Sequence, residues 1–173
     1  MSVPKEKPKA NLVISIMFSK FLLNSEKYRL LIETLNRNFG NIILEDGFFD
    51  FDFTNFYEKE FGKNLIKKYI CFDFFGSFGI EKLPKLKLMC YDIEKSFLIN
   101  DKRLFNVDVG YVKSNAVVFA SFKERAHRIY LSKGVYADLQ LVYENNDWKE
   151  FKWTFSDIIY KKNFFSKLRI MIK

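Results

Sequence analysis

The chain has 173 residues and a mass of 20.7 kDa, the size of one domain built on one core. At 49% hydrophobic and 29% charged it has a globular composition, and its longest apolar run, Leu12–Phe18 with only Ser15 interrupting, is far short of the roughly 18–20 residues that cross a bilayer. Two cysteines and one histidine exclude a disulfide scaffold and leave no zinc set, while 29 Lys and Arg against 21 Asp and Glu give a net charge of +8.

Met1–Lys9, with Pro4 and Pro8, is expected to be a disordered basic lead-in, and residues 10–173 a single domain, since no linker, repeat or low-complexity block divides them. The lysines before the first apolar stretch imitate an export signal. Lys20 interrupts that stretch and no small-residue cleavage site follows, so a cytoplasmic protein is expected.

Leu12–Phe18 reads as a strand buried on both faces. Asn24 or Ser25 then caps a helix whose apolar residues Tyr28, Leu31, Ile32, Leu35 and Phe39 fall on one stripe, ending at Gly40. Ile42–Leu44 is extended. Phe49-Asp50-Phe51-Asp52-Phe53 alternates as a strand does, with rings on one face and carboxylates on the other. Lys67–Phe74 is a further strand, and Pro84 opens a second helix with a stripe at Leu86, Met89, Cys90, Ile93 and Phe97.

From Leu104 the pattern changes to short strands: Leu104–Val109, Ala116–Phe122, His127–Leu131, Val135–Tyr143 and Trp148–Trp153. A basic helix over Asn163–Met171 closes the chain. The order predicts an α+β fold, a ferredoxin-like β-α-β-β-α-β core extended by an antiparallel meander and a C-terminal helix.

The hairpin around Ser132-Lys133-Gly134 can close through two residues or three. Only a three-residue loop sets Arg128 against Asp138, Tyr130 against Tyr136, Ile129 against Ala137 and Leu131 against Val135, which separates a polar from an apolar face. The expected result is a solvent-facing patch of Arg128, Tyr130, Tyr136, Asp138 and Gln140, with His127 at the rim of the core face.

Three stretches resemble a known family. They are Phe49-Asp50-Phe51-Asp52-Phe53 continuing through Asn55-Phe56-Tyr57-Glu58 to Gly62, Asn106-Val107-Asp108-Val109-Gly110-Tyr111, and Ala126-His127-Arg128-Ile129-Tyr130-Leu131 with Gly134-Val135-Tyr136-Ala137-Asp138; Trp153-Thr154 and Asp157 add a weaker echo. On these residues the chain is similar to the domain of unknown function family 4416. The resemblance implies a bacterial or archaeal cytoplasmic protein and brings no established activity. The pattern departs from the family's at Asn55, where an acid is expected, at Phe56 (Tyr), at Val109 (Pro) and at Asp138 (Glu). Some members are labelled GTP-binding. No Gly-x-x-x-x-Gly-Lys-Ser/Thr loop is present, and Asp73-Phe74-Phe75-Gly76 is too short a match to carry that label.

The basic charge points to a phosphate-bearing partner, nucleotide or RNA, or to an acidic membrane surface, or else reflects an A/T-rich genome that favours Lys, Asn, Ile, Phe and Tyr. Arg128 with Asp138 could clamp an anion or form a plain cross-strand ion pair. Tyr130, Tyr136 and Tyr57 complete the candidate ligand-binding set, and the two hairpin tyrosines could stack bases. His127 is the only imidazole available for acid–base work, and its neighbour Arg128 is expected on the opposite face. Asp50, Asp52, Glu58 and Glu60 could hold Mg²⁺, with Asp108 joining them and His127 and Arg128 assisting a phosphoester enzyme, or could be no more than a wet strand face. A scaffold or subunit-interface role is the third reading.

Overall fold

A computed structural model describes residues 1–74 and 78–172 of the chain. The strands are β1 (Ala10–Ser19), β2 (Ile42–Glu45), β3 (Phe49–Asp50), β4 (Leu65–Phe72), β5 (Leu98–Ile99), β6 (Lys102–Arg103), β7 (Phe105–Lys113), β8 (Ala116–Ser121), β9 (Arg128–Ser132), β10 (Val135–Glu144) and β11 (Asp147–Glu150). The helices are α1 (Glu26–Phe39), α2 (Glu58–Phe61), α3 (Leu83–Ser96), α4 (Ser156–Tyr160) and α5 (Lys162–Ile170).

The fold is mixed α and β. One antiparallel sheet runs β11-β10-β8-β7-β1-β4-β2, with β3 also pairing β4 and β9 also pairing β10. Every residue of β4 is buried, and so are residues 12–18 of β1, because the sheet is covered on both faces. Leu12, Ile14, Ile16 and Phe18 meet α1 and α3 on one side, through Leu31, Leu35, Leu86 and Cys90. Val13, Met17 and Tyr69 meet Ile158, Phe164, Phe165 and Leu168 of the C-terminal helices on the other. That double cover is why β1 reads as a continuous apolar run rather than an alternating one.

Local signals account for the helix ends. Ser25 accepts the Tyr28 N–H at 3.2 Å as the N-cap of α1, and Gly40 at φ 92° ends that helix. Among the described residues, no helix is long and apolar enough to cross a membrane.

Three expectations are corrected. The Phe49–Phe53 strand shrinks to two residues, and its alternation survives in part: Phe49 and Phe51 are buried and Asp50 and Asp52 exposed, but Phe53 is 39% exposed. The expected strand through Trp153 ends at Glu150, and α4, too short to show a period, was not anticipated. The hairpin turn has two residues, Lys133 and Gly134, both at positive φ, and Ser132 rather than Leu131 pairs with Val135. A bulge then skips Leu131, which restores Tyr130–Tyr136, Ile129–Ala137 and Arg128–Asp138 as expected. Phe75 and Gly76 of the Asp-x-x-Gly stretch lie outside the described residues.

Candidate functional site

The β7–β8 ladder joins only Gly110–Lys113 to Ala116–Phe119. Beyond Gly110 the two strands part, and a cleft of about 520 Å³ opens between them. Gly110 fixes the point of divergence: a Cβ there would meet the Val118 carbonyl at 2.5 Å and the Phe119 ring at 2.8 Å. The edge of β7 left without a partner strand is satisfied from α3, where Glu94 Oε1 accepts the Val107 N–H at 2.7 Å.

Charged groups that a core would ordinarily reject line this cleft. Lys87 on α3 is 7% exposed and lies 2.7 Å from Asp108 Oδ1. Asn106 donates to Asp108 Oδ2 at 2.7 Å. Burial alone would raise the Asp108 carboxyl, but the Lys87 and Lys67 ammonium groups outweigh it and hold the pKa at about 2. Burial likewise disfavours the Lys87 cation, yet Asp108 and Glu94 carry its pKa above the ordinary value. Glu94 is pushed up, by burial first and by Asp108 second.

Two further clusters flank that pair. Lys67 lies 2.6 Å from Asp157 Oδ2, and the same oxygen accepts from the Tyr69 hydroxyl. Burial, and then the Asp157 carboxylate, hold Tyr69 protonated far above the usual phenol range. Arg103 forks onto both oxygens of Glu60 at 2.6 and 2.7 Å, reaches Glu94 at 3.1 Å and Asn106 at 3.2 Å, and lies over the Phe61 ring. Hydrogen bonds from Arg103, the largest cause, lower the Glu60 pKa.

Arg128 and Asp138 close the far wall, and here the expected wet patch is corrected. Asp138 is 1% exposed and Gln140 0%. The strand alternation does put Arg128, Asp138 and Gln140 together, but the segment after β11 covers them. Trp153 Nε1 donates to Leu139 O, the Thr154 hydroxyl to Gln140 O, and the Phe155 N–H to Gln140 Oε1. Arg128 is committed internally: Nε donates to Asp138 Oδ2 at 2.7 Å, and Nη1 donates to Ser121 Oγ and Lys123 O, both at 2.8 Å. It therefore holds the 122–127 loop in place rather than standing open as a clamp.

His127 precedes β9 instead of lying in it, so it does not point away from Arg128. Its ring stacks on Trp153 at 4.6 Å, and Nε2 comes within 3.5 Å of Asp138 Oδ1. Both residues thus converge on Asp138.

Of the residues singled out from sequence, Tyr57, Asp108, Arg128 and Asp138 line the cleft together. Tyr57 is raised in pKa, by burial and then by Asp108 and Asp157. Tyr130 and Tyr136 face each other edge-on at 5.4 Å on the hairpin and do not line it. Asp50, Asp52 and Glu58 line a different pocket with Lys20 and Lys63, apart from Asp108. Among the described residues no group of three or more His, Cys, Asp or Glu is gathered that could hold a metal ion. The Mg²⁺ set is therefore not assembled by the fold.

Lys67, Lys87, Arg103, Glu94 and Lys123 were not anticipated. A lysine in a strand or on a helix reads as surface, and nothing local announces a carboxylate that lies far along the chain. The one available signal was the family-like echo at Asp157, whose partner is Lys67.

The fold and cleft define a mixed α/β domain with a charged, partly buried pocket at a split in its sheet. The sequence matches the domain of unknown function family DUF4416 over residues 8–171, and the chain belongs to that family. No curated protein and no solved structure matches it.

Proposed function

We propose that the chain is a small binding domain, without enzymatic activity of its own, that holds a phosphate-bearing ligand in the cleft between β7 and β8. The carrying observation is the lining. Lys67, Lys87, Arg103, Lys123, Arg125 and Arg128 face Glu94, Asp108 and Asp138. Four of these cations are paired with carboxylates, but among the described residues Lys123 and Arg125 form no salt bridge. Two cations without a carboxylate partner at the mouth of a cleft lined by charged residues favour an anion.

Sharper points of the reading have their own support. The order β7-β1-β4-β2, all antiparallel and linked through α1 and α3, supports a ferredoxin-like core. A sheet continuous from β11 to β2 supports one domain over 10–173. Two cysteines, Cys71 and Cys90, both unpaired and buried, fit a reducing prokaryotic cytoplasm.

The test is equilibrium binding of inorganic pyrophosphate at low and high salt, with the wild type and a Lys123→Ala/Arg125→Ala double variant. Retention that weakens with salt, and about tenfold or more in the double variant, is expected. Pyrophosphate ignored at low salt would refute the reading.

A further inference from the structure

The cleft does not end at its cationic wall. A second lobe of about 460 Å³ adjoins it, and the two share Phe56, Tyr57, Lys67, Asn106, Asp108 and Phe155 as lining. The second lobe adds the apolar Met17, Phe51 and Phe53 together with Thr54, Thr154, Ser156 and Asp157, so rings stand in it beside polar groups.

Three kinds of group therefore meet in one depression. Cations come first: Lys123 and Arg125 at the mouth, with Lys67 and Lys87 deeper. Each buried ammonium has three N–H donors, and its single carboxylate contact leaves donor capacity over. An acceptor in need of a donor comes second. Asp138 Oδ1 is buried with no hydrogen-bond partner, the His127 nitrogen at 3.5 Å being a longer contact. An open ring face comes third. Phe155, 43% exposed, makes no ring contact with another aromatic among the described residues. Phe56 is 68% exposed, but its ring already carries the Lys123 ammonium 4.9 Å from its centroid and meets Tyr57 edge-on at 5.2 Å, so it flanks the open face of Phe155.

Inorganic phosphate would use only the cations, and an apolar ligand only the rings. Resting on the anion-binding reading above, we infer that the ligand is a mononucleotide. Its phosphates lie toward Lys123 and Arg125, a sugar hydroxyl or base amino group donates to Asp138, and the base stacks on Phe155 beside Phe56. The enclosed volume suits one nucleotide, since small-molecule sites run to roughly 300–1,000 Å³, whereas an extended strand of RNA needs an open groove.

The experiment is isothermal calorimetry on the whole chain with inorganic pyrophosphate, the four common ribonucleoside diphosphates and a short single-stranded oligoribonucleotide. At least one diphosphate nucleotide is expected to bind about tenfold or more tightly than pyrophosphate. Phe155→Ala is expected to abolish that advantage while pyrophosphate affinity stays within about twofold. Phe56→Ala serves as the second variant should Phe155→Ala unfold, which a thermal melt reports. Equal affinity for nucleotide and pyrophosphate overturns the nucleotide inference and leaves the anion reading standing. So does a nucleotide advantage that survives both ring substitutions, whereas binding of the oligoribonucleotide with pyrophosphate ignored overturns both readings. No binding of any probe overturns both.

Discussion

Lys67 Nζ lies 2.6 Å from Asp157 Oδ2, with the two side chains no more than 10% exposed. The pair joins β4 to α4 and thereby fastens the C-terminal segment over the second face of the sheet. Removing one partner strands the other charge in a dry site, which costs about 3–5 kcal/mol, whereas replacing both by apolar residues of similar volume is close to neutral. Asp157→Leu alone is expected to lower stability by about that amount in urea unfolding, and Lys67→Met/Asp157→Leu to recover most of it. A double variant as unstable as the single one would show that the ion pair is not what holds the segment.

Arg128 makes the same argument at the other wall. Because its guanidinium already serves Asp138, Ser121 Oγ and Lys123 O, its removal first loosens the 122–127 loop and leaves Asp138 unpaired. Arg128→Ala is expected to cost about 3–5 kcal/mol in denaturant unfolding and to open the loop to limited proteolysis. A variant of unchanged stability with selectively lost ligand affinity would instead make Arg128 a clamp.

What the sequence makes legible follows from period and alternation. The stripe Leu31, Leu35, Phe39 and the run Leu12–Phe18 are local patterns, and both elements form where those patterns lie. Alternation also pairs Arg128 with Asp138. It cannot say which face is later covered, and here Thr154 and Phe155 cover the face that carries the charges. The turn escaped for a related reason: beyond Leu131, a two-residue turn plus a bulge gives Arg128, Ile129 and Tyr130 the same partners as a three-residue loop does. Lys87 was hidden because an amphipathic helix normally sends its lysines to water. Only the gap between β7 and β8 gives it Asp108 to meet.

Gly110 offers a direct test of that gap. Its missing Cβ lets β8 approach at the last rung before the strands part, and backbone, not a flexible side-chain tip, would obstruct a methyl group. Gly110→Ala is expected to destabilise by about 1–3 kcal/mol, as overpacking does, and to broaden amide signals along Gly110–Lys113 and Ala116–Phe119 in NMR spectra. A variant with wild-type stability and unperturbed signals would mean that the rung has slack and that something else sets the cleft width.

Asp108 carries a pH dependence whose sign can be worked out. Its folded pKa, about 2, is below the roughly 3.9 of an unfolded aspartate, so the folded state binds fewer protons in that interval. The stabilisation is complete above about pH 4 and is lost as pH falls toward 2. Glu94 has the opposite sign: its raised pKa makes its contribution weaken as pH rises through the carboxylate range. With the Asp108 side chain 33% exposed, solvent screening reduces its share to about 1–2 kcal/mol. In Asp108→Asn the Lys87 charge loses its carboxylate, so the variant is expected to be less stable than wild type at pH 7. The two are expected to draw together in urea midpoint as the pH is lowered from about 4 to about 2, because protonation then removes the same charge from the wild type. Curves that stay parallel across that interval would show that Asp108 has an ordinary pKa, and that Lys87 is balanced by another group in the cleft.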